Sequence, residues 1–277
     1  MKLIALDLDG TLLTTEKKLT AENELALRRA AAAGLEIVPA TGRFYSAIPA
    51  QVRALPYIHY AITINGAQVW DVWAARPMLR AEIPWQRAVE VMTVLDGLPV
   101  IYDCYMDNWG WMTQAHYDRA ADFAPHRHSL EMLQQFRTPV PELKAHLAQV
   151  GHDVQKIQMF FRDMALRAQA MTDLAARFPD LAVTSSIPRN VELNRLDAQK
   201  GTALLSLAAQ LGIAASETMA FGDDLNDVSM LQAAGIGVAM ANATPPALAA
   251  ADLQTASCNE NGVAKALERL VFAQRQR

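Results

Sequence analysis

Two carboxylates, Asp7 and Asp9, stand directly after a short apolar run, in the string Asp7-Leu8-Asp9-Gly10-Thr11. Ligands of a doubly wound sheet bind beyond the carboxyl ends of its strands, and there both acids reach one site. Neighbouring carboxylates repel unless a cation or a proton intervenes. Mg²⁺ is one solution, since it takes oxygen ligands and leaves room for waters and a phosphate. Gly10 permits a tight turn and a close backbone approach. The same string also suits a plain Asp-Gly turn with solvated acids.

Three further strings carry chemistry at expected element boundaries. Thr41-Gly42-Arg43 offers a hydroxyl and bare backbone amides, which suit a phosphate oxygen. Gly222-Asp223-Asp224-Leu225-Asn226-Asp227 offers acids that could complete a metal site, although acids also cap helices. Lys200-Gly201-Thr202 places a lysine at a helix start, where it opposes the macrodipole and where an anion would relieve that cost. Taken singly, each has a bland alternative: a turn, a cap, a solvated surface lysine.

These strings need elements to carry them. Residues 2–8 read as a strand buried on both faces. Thr20-Ala21-Glu22-Asn23-Glu24 opens an alanine-rich helix, with Thr20 as cap, that stops at Gly34. Residues 35–40 form the next strand, 46–55 a helical stretch and 60–64 a third strand. That alternation predicts a parallel sheet with right-handed crossovers. From residue 82 to 188 the character changes. Aromatics and five of the six histidines gather there, and a hairpin is expected over 101–112 around Asp107-Asn108-Trp109-Gly110. Strands are expected over 155–161 and 181–185, with a helix over 165–178. Alternation then resumes with helices over 201–211, 226–234 and 263–272 and strands over 218–221 and 236–240. The expected fold is α/β: a Rossmann-like parallel-sheet core with helices on both faces (1–81 and 189–277), interrupted by an inserted α+β domain (82–188).

Composition bounds the partners. The chain has 277 residues, 52% apolar and 19% charged, which suits one large or two modest globular domains with ample core. A net charge of -4 and the lack of any Lys/Arg block argue against nucleic acid. Residues 3–8 are apolar, but Asp7 and Asp9 interrupt them too early for a signal peptide, and no stretch approaches the ~20 apolar residues that span a bilayer. Two cysteines, Cys104 and Cys258, are too few for a disulfide framework and fit a reduced, cytoplasmic protein. The sequon at Asn242 is then expected to stay unmodified.

The order of the strings is more specific than any one of them. Asp-x-Asp-Gly-Thr, Thr-Gly-Arg, Lys-Gly-Thr and Gly-Asp-Asp-x-Asn-Asp, each at an element boundary, resemble the haloacid dehalogenase superfamily. More narrowly they are similar to the Cof-type phosphatases, which carry a large cap domain between the second and third motifs. Asn65-Gly66-Ala67, Asn242-Ala243 and Gly262-Val263-Ala264 resemble that family's secondary signatures. The resemblance spans the core almost end to end and reaches the cap only in size and placement. It implies a Mg²⁺-dependent phosphatase acting on a small phosphorylated metabolite, a sugar phosphate or phosphorylated cofactor. Asp7 would be the nucleophile and become an aspartyl-phosphate. Asp9 would protonate the leaving oxygen and later deprotonate water. Asp7, the backbone carbonyl of Asp9, and Asp223 would hold the metal. Thr41, the amides of Leu8 and Gly42, Lys200 and Asn226 would hold phosphate oxygens, with Asp227 orienting Lys200 or a metal-bound water. Arg43, Asn65, Tyr102, Tyr105 and Trp109 are the candidates for substrate selection. Two segments depart from the family's wording, 193–199 before Lys200 and Cys258-Asn259-Glu260-Asn261, and neither removes a catalytic group.

Other patterns carry less. Gly235-Ile236-Gly237 half-imitates a dinucleotide fingerprint, but its glycines precede or lie within a strand. His126-Arg127-His128 lacks further ligands at metal spacing and reads as a solvated loop. Tyr102, Tyr105, Trp109, Trp111 and Tyr117 read first as hairpin packing and second as a ring pocket. Two other functions stay open at this level: phosphoryl transfer to a second acceptor, as in a mutase, and a catalytically silent protein that binds a phosphometabolite. The substrate and the oligomeric state are not defined by the sequence.

Overall fold

The short apolar run after Met1 becomes an inner strand of a five-stranded parallel sheet. In this computed structural model, which describes residues 1–124, 127–187 and 189–273, the strand order is Leu253–Gln254, Ile236–Ala239, Thr218–Gly222, Leu3–Leu6, Glu36–Pro39. Strand alternation sends Ile4 and Leu6 to one face and Leu3 and Ala5 to the other. Ile4 and Leu6 join Ala26, Leu27 and Ala30 of helix Ala21–Ala32 and Val263 and Leu267 of helix Gly262–Leu267. Leu3 and Ala5 join Leu204 and Leu207 of helix Lys200–Gln210 and Met230 of helix Val228–Ala233. All four strand residues are fully buried. Each leucine or isoleucine so placed contributes about 1.5–3 kcal/mol of burial. That two-sided burial is why the strand lacks a polar alternation.

The helix expected after Thr20 is capped as its sequence suggests: the Thr20 hydroxyl accepts from the Asn23 amide at 3.2 Å, and Glu22 and Glu24 sit in the first turn. Two other expectations need correction. The strand expected over 60–64, Tyr60–Thr63, does not simply extend the parallel sheet. It pairs antiparallel with Gln68–Asp71, which pairs with Arg76–Arg80, and meets the parallel sheet through one parallel bridge between Ala40 and Ile62. Ile64, Asn65 and Gly66 all have positive φ and reverse the chain at once, whereas a parallel neighbour needs a crossover of a dozen residues or more. The closing helix, expected over 263–272, is α-helical over Gly262–Leu267 and widens to a π-helix over Glu268–Phe272.

The chain divides into two compact units, Met1–Arg80 with Gln199–Arg277, and Ala81–Ala198. The inserted unit therefore runs on past residue 188. Strand Asn190–Arg195 pairs with Lys156–Phe160 on one side and Leu181–Thr184 on the other. Leu193, Asn194 and Arg195, which open the segment that departs from the family's wording, are strand residues. The inserted unit is a six-stranded sheet in the order Leu181–Thr184, Asn190–Arg195, Lys156–Phe160, Ile101–Met106, Trp109–Thr113, Arg137–Val140. Its hairpin turns on Asp107 and Asn108, both at positive φ (56° and 58°), as a two-residue loop of this kind requires, so Trp109 and Gly110 already belong to the strand. Helices Trp85–Leu95, Leu143–Val150 and Met164–Arg177 cover one face of this sheet through Val91, Leu147 and Leu174. Among the described residues, no helix is long and apolar enough to cross a membrane. His126 of the His-Arg-His string lies outside the described residues, as does the side chain of His128.

Candidate active site

Strand order reverses beside Leu3–Leu6: the next strand in the chain lies on one side, and strands from its far end lie on the other. Such a switch point opens a crevice at the carboxyl ends of the two middle strands. Asp7 stands at one of those ends and Asp223 at the other. The Asp7 amide donates to the Phe221 carbonyl at 3.0 Å, which extends the pairing to the site's edge. Gly10 then turns the chain at φ 94°. A Cβ there would come within 2.4 Å of Asp223 Oδ2, so both the conformation and the space demand glycine.

Lys200 opens its helix as expected but is no surface lysine. It is fully buried, and its Nζ lies 2.6 Å from Asp7 Oδ1 and 2.6 Å from Asp227 Oδ1. Asp227 Oδ2 accepts from the amides of Asp223 (2.9 Å) and Asp224 (3.1 Å), so Asp227 ties the lysine to the loop that carries Asp223. Asp223 Oδ1 accepts from the Thr11 hydroxyl at 2.7 Å. Asp224 accepts from the Leu225 amide and caps the turn that follows.

Ligand atoms of Asp7, Asp223 and Asp227 all lie within 4.8 Å of one another. Three carboxylates around one ammonium leave surplus negative charge. Burial, then the charge of Asp227, pushes the Asp7 carboxyl well above its ordinary range, and Lys200 only partly offsets this. Asp223 rises to about 7, through burial first and Asp227 second. Burial opposes the charge on Lys200, but Asp227 and Asp7 outweigh it and raise the lysine above its ordinary value. Uncompensated charge on buried oxygen ligands fits a hard divalent cation. Both oxygens of Asp227 are engaged by close donors, at 2.6 to 3.1 Å, whereas among the described residues Asp223 Oδ2 meets only Asn242 Nδ2 at 3.4 Å, so Asp7 and Asp223 are the side chains better suited to hold it.

Asp9 is held elsewhere. Arg43 Nε donates to Oδ2 at 2.8 Å and Nη2 to Oδ1 at 3.0 Å, and Lys17 Nζ lies 2.9 Å from Oδ1. Burial pushes this carboxyl up, but Arg43 and then Lys17 outweigh it and bring it to about 2. Arg43, a specificity candidate in the sequence, thus contacts the expected acid–base residue. Lys17 was not singled out: it sits in a loop at φ 61° and belongs to no motif, so spacing gave no signal for it.

The remaining core candidates surround this cluster. Thr41 is buried, and its hydroxyl accepts from the Arg43 amide at 3.2 Å while its own amide donates to the Ile62 carbonyl. Gly42 lies between them. Asn65 donates its amide to the Thr41 carbonyl, and its Oδ1 accepts from Asn226 Nδ2 at 3.1 Å. The antiparallel turn missed in the sequence is therefore what joins Thr41 to Asn226. A Cβ on Gly66 would lie 2.4 Å from the Gln199 carbonyl, so this turn also packs against the start of the Lys200 helix. The Leu8 side chain is in the core, which leaves only its backbone for a ligand. Asn242, noted only as a secondary signature, donates to the Gly10 carbonyl at 2.8 Å and accepts from the Cys258 amide at 2.9 Å, strapping the loop after Asp7 to the chain after Ser257.

In the inserted unit the three aromatic candidates separate. Tyr102 lies on the helix-covered face and donates its hydroxyl to Asp96 at 2.6 Å. Trp109, paired opposite Met106, is on that face too, with its indole donating to Thr138 at 2.8 Å. Tyr105 lies on the opposite face among buried charges. Its hydroxyl accepts from Arg137 at 3.0 Å, Arg137 pairs with Asp103 at 2.9 Å, and Lys156 pairs with Glu192 at 2.8 Å. The Lys156 ammonium stands 4.5 Å above the Tyr105 ring. Sequence reading followed the aromatics and passed over Asp103, Arg137, Lys156 and Glu192, whose charges alternate with apolar residues along the strands.

Comparison with known proteins agrees with this geometry. Residues 4–267 match the haloacid dehalogenase-like hydrolase family. The phosphatase YwpJ of Bacillus subtilis is 32% identical, with 98% of this chain and 100% of that protein covered. The pyridoxal phosphate phosphatase YbhA of Escherichia coli is 30% identical, over 91% of this chain and 92% of that protein. A solved haloacid dehalogenase-like hydrolase from B. subtilis superposes with a TM-score of 0.83 at 32% identity, covering 98% of this chain and 100% of the other. The chain belongs to the haloacid dehalogenase-like hydrolases, in their Cof-type branch of phosphoric monoester hydrolases.

Proposed function

We propose that this chain hydrolyses a small phosphorylated metabolite through an aspartyl-phosphate on Asp7, with Mg²⁺ as its metal and Asp9 as acid and base. The observation that carries this is the buried ammonium of Lys200, 2.6 Å from both Asp7 and Asp227, beside Asp223 at the sheet's switch point. Asp7 attacks phosphorus as the ester oxygen departs, and Asp9 gives that oxygen a proton. Water then attacks the phosphorus, Asp9 takes its proton, and Asp7 is released. Asp7, Asp223 and the Asp9 carbonyl would hold Mg²⁺, which would supply the positive charge that lets an anionic nucleophile approach a phosphate dianion. Lys200, Thr41, Asn226 and the amides of Leu8 and Gly42 hold the phosphate oxygens, so most of the catalysis is positioning and electrostatics. Arg43 and Lys17 keep Asp9 ionised in the resting site, and the charge of an arriving phosphate favours its protonated form.

The insertion 81–198 acts as the cap that selects the substrate. Its polar sheet face, with Tyr105 among Asp103, Arg137, Lys156 and Glu192, suits selection by hydrogen bonds; Tyr102 and Trp109 are spent on packing. A relative named for pyridoxal phosphate supports the reading of a small phosphorylated metabolite. Replacing Asp7 with Asn and assaying p-nitrophenyl phosphate with Mg²⁺ tests the reading. A loss of about a thousandfold or more is expected, and unchanged turnover sinks the proposal. A panel of phosphorylated metabolites, with release of orthophosphate as readout, then separates hydrolysis from transfer to an acceptor.

A further inference from the structure

Three consecutive residues, Ile64, Asn65 and Gly66, turn the chain at φ 53°, 59° and 99°. Glycine takes such angles freely and asparagine tolerates them, but a β-branched isoleucine is strained there. Strain of this kind persists only where the surroundings hold it, and here they do so from three sides. The Ile64 and Asn65 amides donate to the carbonyls of Arg43 (2.9 Å) and Thr41 (3.0 Å). Gly66 packs against the backbone of Gln199 and Lys200, where an added Cβ would come within 2.4 Å of the Gln199 carbonyl oxygen. Asn65 Oδ1 accepts from Asn226 Nδ2 at 3.1 Å, across 161 positions of the chain. One strained turn thus touches the segments that carry Thr41, Lys200 and Asn226, all read above as holders of phosphate.

Asn65 stands among the sequence's candidates for substrate selection, but its side chain is buried and engaged with Asn226. A side-chain amide has a donor end and an acceptor end, and a half-turn exchanges them. Only the donor end suits a phosphate oxygen. Asn226 is buried too, in the turn Leu225–Asp227, one residue before the acid that holds Lys200 at 2.6 Å. Among the described residues its side chain makes one hydrogen bond, the one to Asn65. That bond turns the Asn226 nitrogen to Asn65 and commits one of its two hydrogens, which leaves the other to donate. We propose that Asn65 is a positioning residue that acts on phosphate binding through Asn226, by fixing the orientation of the Asn226 amide, and that it takes no part in choosing the leaving group. The inference rests on the phosphatase reading above, in which Asn226 holds a phosphate oxygen.

The experiment is a double-mutant cycle with Mg²⁺ present, reading kcat and KM for p-nitrophenyl phosphate and the inhibition constant of orthophosphate. Asn65→Gly removes the side chain and keeps the left-handed backbone. It is expected to raise KM and the inhibition constant together, about tenfold, the weight of one hydrogen bond to a charged group, with kcat within about threefold. A merely structural defect would instead lower kcat through the active fraction and leave both binding measures alone. In an Asn226→Ala background, adding Asn65→Gly is expected to change either measure by less than about twofold, because the residue it acts through is already gone. The loss in kcat/KM is expected to be the same for glycerol 2-phosphate, whose leaving group has another shape. Asn65→Ser, whose hydroxyl stops one bond short of the amide oxygen, serves should Asn65→Gly fold poorly. Unchanged binding measures in Asn65→Gly or in Asn226→Ala, a further tenfold loss on top of Asn226→Ala, or unequal losses for the two esters overturns the inference. A wild type that cleaves neither ester instead overturns the phosphatase reading beneath it.

Discussion

At the scale of the residue, the site is a problem of surplus charge. Asp7, Asp223 and Asp227 share the single ammonium of Lys200, and burial holds two of the three acids above their ordinary range. An acid whose folded pKa is raised binds more protons in the native state than in the unfolded one, so its contribution to stability is present at low pH and fades as pH rises through the folded value. For Asp223 that window runs from its ordinary value of 3.8 up to about 7. In metal-free buffer with a chelator, Asp223→Asn is therefore expected to melt above wild type at pH 8, with the difference shrinking toward pH 5. Added Mg²⁺ should reverse the order, because only wild type keeps the full ligand set. Melting curves across that pH range, with and without Mg²⁺, check both signs.

The elements show how local sequence places these side chains. The first strand and the loop after it needed little beyond an apolar run, two acids and Gly10. The Thr20 cap was likewise legible, because it depends on residues three apart. Thr20→Ala is expected to cost about 1 kcal/mol of stability, read by urea denaturation, with kcat/KM per folded molecule unchanged. Lys17 was illegible for the opposite reason. Its partner Asp9 lies across a loop at positive φ, and no periodicity or spacing encodes that meeting. Strands Gln68–Asp71 and Arg76–Arg80 were also missed. Reading Tyr60–Thr63 as one more parallel strand left no place for an antiparallel turn over Ile64, Asn65 and Gly66, although that turn is what carries Asn65 to Asn226. Tyr102 and Trp109 show a related failure. Alternation sorts residues to two faces of a strand, but only packing decides which face the helices cover.

For the molecule as a whole, connectivity separates two units of different self-sufficiency. The insertion 81–198 is continuous, and its largest apolar cluster, from Ile83 to Leu193, draws on no residue outside it. Expressed alone it is expected to fold, with a cooperative melt and dispersed amide resonances. Residues 1–80 alone are expected not to: their central strand needs Thr218–Gly222 as a neighbour, and both faces of their sheet need helices from beyond residue 199. Circular dichroism and a one-dimensional proton spectrum of the two fragments check the contrast.

By itself the sequence determined the order of the motifs, the interruption of the core and the family, because each motif is a short string at an element boundary whose chemistry is local. It also put Asp7, Thr41, Lys200, Asn226 and Asp223 within one list of candidates. Tertiary structure decided what those residues do to one another. Strand order brought Asp7 beside Asp223, helix packing buried Lys200 between two acids, and loop geometry set Lys17 and Arg43 against Asp9. Burial and distance set the charge state of each group, and both belong to contacts between residues as many as 216 positions apart (7 to 223), which no local pattern in the chain encodes.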